Sequence, residues 1–370
     1  MLENYVSAME HWQGRVDSEE DYDSFRWHQW VRPLDLNADP KPYEGPQGFA
    51  FIGFRSEQGV QRNKGRVGTA LAPDLIRQQM ANLPCTFKQS VEIWDAGDIV
   101  CQDISMENGQ AQLAEAVHRI LELNLFPIVL GGGHETTFGH YCGQLSYTEQ
   151  RLAGGNTEQR LAGGNTKQRL AGENAEQQAP KKPDIAVVNF DAHFDLRPYD
   201  RGSSSGSMFR QIADICRNRG MKYGYLPLGI QKHSNTVSLF REAERMGVRY
   251  VLARDLQYGS MASVYEKVDT FMYEHESAYI TICTDVFSSA FAPGVSAPQA
   301  LGLDPERVLP VIKHILRTRK IRGFDICEIS PRFDQDNTTA SLGAVLIFTV
   351  VNTICKLKNL AVNTGVEYYG

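Results

Sequence analysis

Runs of strand length, rich in apolar residues, alternate with stretches whose apolar residues fall three or four apart along most of the chain. Phe49–Phe54, Val91–Trp94, Phe126–Leu130, Ile185–Phe190, Tyr225–Ile230, Arg249–Leu252, Tyr279–Cys283 and Gly323–Cys327 predict strands. Leu113, Val117, Ile120 and Leu121 share a face at helical spacing, which predicts a helix over Gln110–Leu123. Pro73–Met80 opens a further helix with proline in its first turn. Thr236–Met246, Pro305–Arg319 and Thr338–Lys356 read as helices too, the last mostly buried. Strands alternating with helices in this way predict an α/β fold, a single three-layer α/β/α domain around a mostly parallel sheet. Such sheets gather ligands at the carboxyl ends of their strands. His134, Asp191, His193, Asp195, Asp285 and Glu328 all stand at such ends.

Two segments break the pattern. Residues 1–46 are polar and aromatic, with Trp12, Trp27 and Trp30, and close on Pro40, Pro42 and Pro46; they are expected to form an irregular arm packed on a main domain of residues 47–370. The nine-residue unit TEQRLAGGN at 148–156 recurs unchanged at 157–165 and as TKQRLAGEN at 166–174. One Leu and one Ala per copy cannot stack into a solenoid core, so the block reads as a repeat-containing loop insertion at 147–182, flexible or weakly helical.

An apolar content of 42% over 370 residues excludes a disordered chain. With 38 basic against 44 acidic residues and no basic tract, a nucleic-acid partner is not expected. Seven cysteines occur without CxxC pairing, and Met1–Glu10 has no apolar signal-peptide core, so a reducing cytoplasm is the expected location. The longest apolar stretch, Leu342–Val351, falls short of the roughly 20 residues that span a bilayer, so no membrane partner is expected.

Asp191-Ala192-His193-Phe194-Asp195 carries the sharpest chemistry. If the strand stays extended past Phe190, alternation turns Asp191, His193 and Asp195 to one side. Two carboxylates and an imidazole at one point need a cation, and their hard donors suit Mn²⁺, with Zn²⁺, Fe²⁺ or Co²⁺ as alternatives; a solvated loop is the plainer reading. His134 follows Gly131-Gly132-Gly133, glycines that let the backbone turn and another group approach. Cys283 and Asp285 point the same way by period two, against the alternative of a buried inert thiol beside a capping Asp. Glu328 ends the last strand as a site residue or a salt-bridge partner.

These residues carry a resemblance. GGGHE at 131–135, DAHFD at 191–195, the TxCTD-type run at 281–285 with FAPGVSAP at 291–298, and Glu328 together resemble the arginase–agmatinase–formimidoylglutamase (ureohydrolase) family in its order. Residues 59–66 and Asp95-Ala96-Gly97-Asp98 add to it, and the whole covers about residues 48–357. Trp12–Asp17, the Glu after GGGH, the run from Asp191 to Arg197 and Ser204–Phe209 resemble the formimidoylglutamase branch. The family's histidine proton shuttle would fall near Phe209, where this chain has none.

The resemblance implies an arginase-like fold and a binuclear Mn²⁺ centre, two ions per chain. His134 and Asp195 would hold one ion, His193 and Asp285 the other, with Asp191 bridging. Cys283 stands where most members have a second bridging carboxylate, a softer donor that shifts preference away from Mn²⁺. Asp285 would be the proton carrier and Glu328 the amidinium anchor. Arg197, Ser205 and Asn235 would contact substrate, with Arg66 and Arg210 as weaker candidates for a second carboxylate. The implied reaction is hydrolysis of N-formimidoyl-L-glutamate to L-glutamate and formamide in histidine degradation. The alternatives are another ureohydrolase acting on a guanidino acid, and a metal-poor, non-catalytic member. A small-molecule substrate is the expected partner and a homo-oligomer the expected assembly.

Overall fold

The structure, a computed structural model, describes residues 1–162 and 181–362. Ten strands form one sheet: β1 (Tyr5–Val6), β2 (Arg32–Pro33), β3 (Gln47–Arg55), β4 (Val91–Val100), β5 (Leu125–Leu130), β6 (Ile185–Phe190), β7 (Gly224–Ile230), β8 (Val251–Leu252), β9 (Ser277–Cys283) and β10 (Ile321–Cys327). Their order is β1-β4-β3-β5-β10-β9-β6-β7-β8, with β2 beside β4. Every pairing is parallel except β1 with β4.

Alternate residues of the apolar runs feed opposite layers. Phe49 and Phe51 of β3 join one core with the helices Ala72–Met80, Pro305–Arg317 and Thr338–Leu357. Ala50, Ile52 and Phe54 face the other side, against the helix Met106–Glu122. Ile185 and Val187 of β6 pack there against the helix Met208–Arg219. The helix Thr338–Leu357 is long and apolar enough to cross a bilayer, but 56% of its most apolar window is buried within the fold. It is a core helix.

The arm is bound through a buried ion cluster. Arg77, fully buried, donates from Nε to Asp95 Oδ2 at 2.6 Å and from Nη1 to Asp98 Oδ1 at 2.6 Å. The Trp12 indole N–H donates to the same Asp95 oxygen at 2.5 Å, while Trp27 is buried near Phe51 and Phe87. β4 continues past the predicted end at Trp94: Gly97 takes φ 74°, the β3–β4 register shifts, and the strand runs on to Val100.

Of the two forms expected for the repeat, flexible or helical, its first copy takes the helical one. The helix Thr136–Ala162 runs through the first copy and into the second. Glu, Gln, Arg, Leu and Ala favour helix, and extending an existing helix avoids the cost of nucleation. Glu149 pairs with Arg219 at 2.6 Å and Gln150 donates to Glu122 at 3.0 Å, tying this copy to its neighbours. The rest of the expected insertion, 163–180, lies outside the described residues.

Candidate metal centre

The polar residues at the ends of β5, β6, β9 and β10 meet at the middle of the sheet. After β5 the backbone passes so near the end of β3 that a side chain at Gly132 would fall 1.9 Å from the Ser56 carbonyl oxygen. Close approach is therefore what glycine supplies there. His134, 1% exposed, follows, and its backbone N–H donates to Glu328 Oε1 at 2.7 Å. Its Nδ1 lies 3.0 Å from Asp191 Oδ2 and 3.1 Å from Asp195 Oδ2. Its Nε2 lies 2.9 Å from Thr281 Oγ1, a contact that leaves Nδ1 to face the carboxylates. The Thr281 hydroxyl is 3.0 Å from Thr137 Oγ1, which donates to Asp325 Oδ1 at 3.3 Å; Asp325 Oδ2 holds His140 Nδ1 at 2.7 Å.

Strand alternation does not bring Asp191, His193 and Asp195 together, contrary to the expectation from an extended backbone. β6 stops at Phe190, and the loop folds back so that Asp191 Oδ1 accepts the His193 N–H at 2.7 Å. Asp195 closes the loop at φ 49°, a left-handed conformation costly for a residue with a side chain. Asn235 fixes the same loop. It accepts the Phe194 N–H at 3.0 Å and donates to the carbonyls of Ala192 and Gln231, both at 2.8 Å. Its amide is spent on backbone, so its position fits a loop anchor instead of the expected substrate contact.

Asp285 likewise arrives through a turn, Thr284–Val286, because β9 ends at Cys283. Asp285 Oδ2 is 3.1 Å from His193 Nδ1, and Oδ1 is buried without a hydrogen-bond partner. Ligand-type atoms of His134, Asp191 and Cys283 lie within 4.8 Å of one another, as do those of Asp191, His193 and Asp285. Asp191 belongs to both sets. A buried surplus of carboxylate over imidazole, with an unpartnered Asp285 oxygen, is the arrangement that divalent cations complete, and imidazole plus carboxylate suits Mn²⁺ among them.

The charges are strongly coupled. Burial opposes ionisation of Asp191, yet hydrogen bonds and charge from His134 and His193 outweigh it and hold its carboxyl below the ordinary range. Burial and the Asp191 charge push Asp195 up to about 6. Burial, followed by the charges of Asp191 and Asp285, pushes the Cys283 thiol well above its usual value, so its thiolate needs a cation beside it. Burial and the nearby Glu135 carboxyl push Glu328 up to about 8, against the lowering effect of the Ser296 hydroxyl, which donates to Oε2, and the His134 N–H. Glu328 also sits at φ 69°.

The site opens at His193, whose side chain is 20% exposed while that of Asp191 is 0%. Arg197 is exposed beyond Asp195, its backbone N–H on the Gly206 carbonyl at 2.9 Å and its stem against Gly206. Ser205 is buried beside it, its N–H on the Gly59 carbonyl at 3.2 Å. Arg210 pairs with Glu242 at 3.5 Å, and Arg66 donates to the Val295 carbonyl at 2.5 Å while lying over Phe333. Both have partners, although Arg66 Nε is buried without a hydrogen bond. Phe209 is buried with its ring 5.6 Å from His134, and it stacks on Tyr225 at 4.1 Å.

Sequence reasoning missed Thr281, Thr137, Asp325, His140 and Ser296. The signal was present in part: β9 and β10 both end in a polar residue, one apolar residue and Cys, on register-matched positions Thr281↔Asp325 and Cys283↔Cys327.

The arginase-family model matches residues 47–155 and 161–352. The formimidoylglutamase of Clostridium tetani is 51% identical over 351 residues, which cover 94% of this chain and 96% of that protein. That of Geobacillus thermodenitrificans is 41% identical over 333 residues, covering 90% and 92%. Among solved structures, the formimidoylglutamase of Bacillus subtilis superposes with a TM-score of 0.71 at 19% identity, covering 93% of this chain and 96% of that one. The Trypanosoma cruzi formiminoglutamase solved with Mn²⁺ gives 0.65 at 20% identity, covering 87% and 98%. The family match spans both flanks of the repeat and every strand end that feeds the cluster, so the chain belongs to the arginase family.

Proposed function

We propose that this chain hydrolyses N-formimidoyl-L-glutamate to L-glutamate and formamide, a step of histidine degradation, with two Mn²⁺ ions as its cofactor. The observation that carries the reading is Asp191 shared between two ligand sets, in a chain 51% identical to a formimidoylglutamase over nearly its whole length. His134, Asp195 and Cys283 would hold one ion, His193 and Asp285 the other, and Asp191 both. Bound there, the pair would supply Lewis acidity and make a water molecule acidic enough to act as a nucleophile near neutral pH.

The chain's own groups do the rest. Water adds to the amidine carbon, the bond from that carbon to the glutamate nitrogen breaks, and the nitrogen leaves with a proton. Asp285, brought into the site by the turn after β9, takes the water's proton and passes it to that nitrogen. Glu328 lies against His134 and near Asp285, where its carboxylate meets the cationic amidinium. Arg197 at the open rim meets a substrate carboxylate, which agmatine lacks.

Formamide release from N-formimidoyl-L-glutamate, with L-arginine and agmatine as comparison substrates, tests the reading. Faster turnover of either guanidino compound would overturn it. Arg197→Ala should lower kcat/KM for the formimidoyl substrate by about 10- to 100-fold, the loss of ~1.4–2.8 kcal/mol from a partly solvated carboxylate contact. An unchanged value would return Arg197 to the surface.

Cys283→Ala should weaken retention of at least one ion by about 10- to 100-fold, read as metal per chain after dialysis, while Cys283→Asp should keep both. Two retained ions and normal turnover in Cys283→Ala would remove Cys283 from the ligand set.

A further inference from the structure

A cavity lies at the opposite end of the same central strands. It opens where β5 and β10 begin, at Leu125 and Ile321, and has a volume of 540 Å³. At about 3.3 Å per residue the strands separate it from the metal centre by roughly 20 Å. Its lining combines apolar, neutral polar and cationic side chains. Phe126, Leu357 and Tyr147 give apolar and aromatic surface, while Arg151, Arg319, Arg322 and Lys358 bring four cations. Among the described residues none of those lining it is acidic, in a chain of net charge −6. Arg319 donates to the Leu357 carbonyl at 2.9 Å and Lys358 to the Pro46 carbonyl at 3.3 Å, so the two are held in place by neutral groups. Burial, and after it the Arg322 charge, lowers the Lys358 ammonium from its ordinary value.

Four cations around a cavity with no carboxylate among its described lining residues repel one another, and an anion between them removes that cost. Planar guanidinium groups match phosphate oxygens bidentately, and the volume is that of a small-molecule site. An apolar and aromatic floor beside the charges calls for a ligand with a body as well as a phosphate. We propose that this cavity binds a small phosphate-bearing molecule of mononucleotide size, with its phosphate on Arg151, Arg322 and Lys358 and its planar body on Phe126 and Tyr147. Arg151 belongs to the first copy of the nine-residue repeat, so the helical extension of that copy delivers one of the cations.

Calorimetry on the full-length, metal-loaded protein with AMP and inorganic phosphate as probes tests the site. AMP should bind with Kd below about 1 mM, and phosphate, which has no body, should bind at least about tenfold more weakly. The exposed double substitution Arg151→Gln/Arg322→Gln should weaken AMP by at least about tenfold. It should leave turnover without AMP unchanged, and the thermal midpoint equal to or above that of the parent, because like charges are removed. Equal AMP affinity in the double variant would overturn the proposal, as would the absence of AMP binding. Phosphate binding as tight as AMP would overturn the role given to the floor.

Discussion

Asp191→Ala should reduce turnover by at least about 1,000-fold, a loss of ~4 kcal/mol or more of transition-state stabilisation, and should take metal content below one ion per chain. No other residue belongs to both ligand sets that hold the site carboxylates, and its two oxygens face different imidazoles, Oδ2 toward His134 and Oδ1 toward His193. Its removal also leaves two imidazoles, both raised well above their usual value by neighbouring acids against the lowering effect of burial, with one partner fewer. Metal analysis after dialysis reads the first effect and circular dichroism checks that the fold survives. Two ions retained by a folded Asp191→Ala protein would overturn the assignment of this residue as the bridge.

Glu328→Gln should lower kcat/KM by about 100- to 1,000-fold, the ~3–4 kcal/mol of a buried charge-assisted contact to a cationic amidinium. The same change should act oppositely on the metal-free protein. Burial raises the folded-state value of Glu328 to about 8, so between the ordinary carboxylate range and that value the unfolded chain ionises more readily than the folded one. Glu328 is thus neutral in its effect at low pH and costs stability increasingly as pH rises toward 8. Chelator-treated Glu328→Gln should therefore gain on the parent as pH rises, by on the order of a few kcal/mol at pH 8. A constant difference across that range would show that Glu328 is not the group responsible.

The strands were legible because their apolar runs are bounded and buried on both faces; Ile185–Phe190 is observed with the boundaries its pattern predicts. The helix Thr136–Ala162 was not. Gly139 and Gly143 weaken its local propensity, but they let it lie against Met106–Glu122, where a side chain at Gly143 would fall 2.5 Å from the Ala114 carbonyl oxygen. Packing overrode propensity there. The residues of the centre were legible as polar groups at strand ends, whereas the way they converge was not. Period two holds only while a strand lasts, and the decisive bends come at Asp195 and in the turn after Cys283. The support behind His134 depends on the register of β9 against β10, which a linear pattern does not contain.

The placement of β5 beside β10 also governs how the molecule can assemble. His134 and Glu328 hydrogen-bond across 194 positions of sequence, and the strands that carry them are neighbours at the middle of the sheet. Contacts of that range form late and slowly, because the intervening chain must be drawn in before they contribute anything. Until β9 and β10 insert between β5 and β6, His134, the 191–195 run and the 283–285 turn lie apart. A centre that needs His134, the 191–195 run, Cys283 and Asp285 together would be complete only once that strand order is formed, and a cation held there would favour the native state. On the proposed reading, metal loading would report that the sheet is complete as well as supply the chemistry.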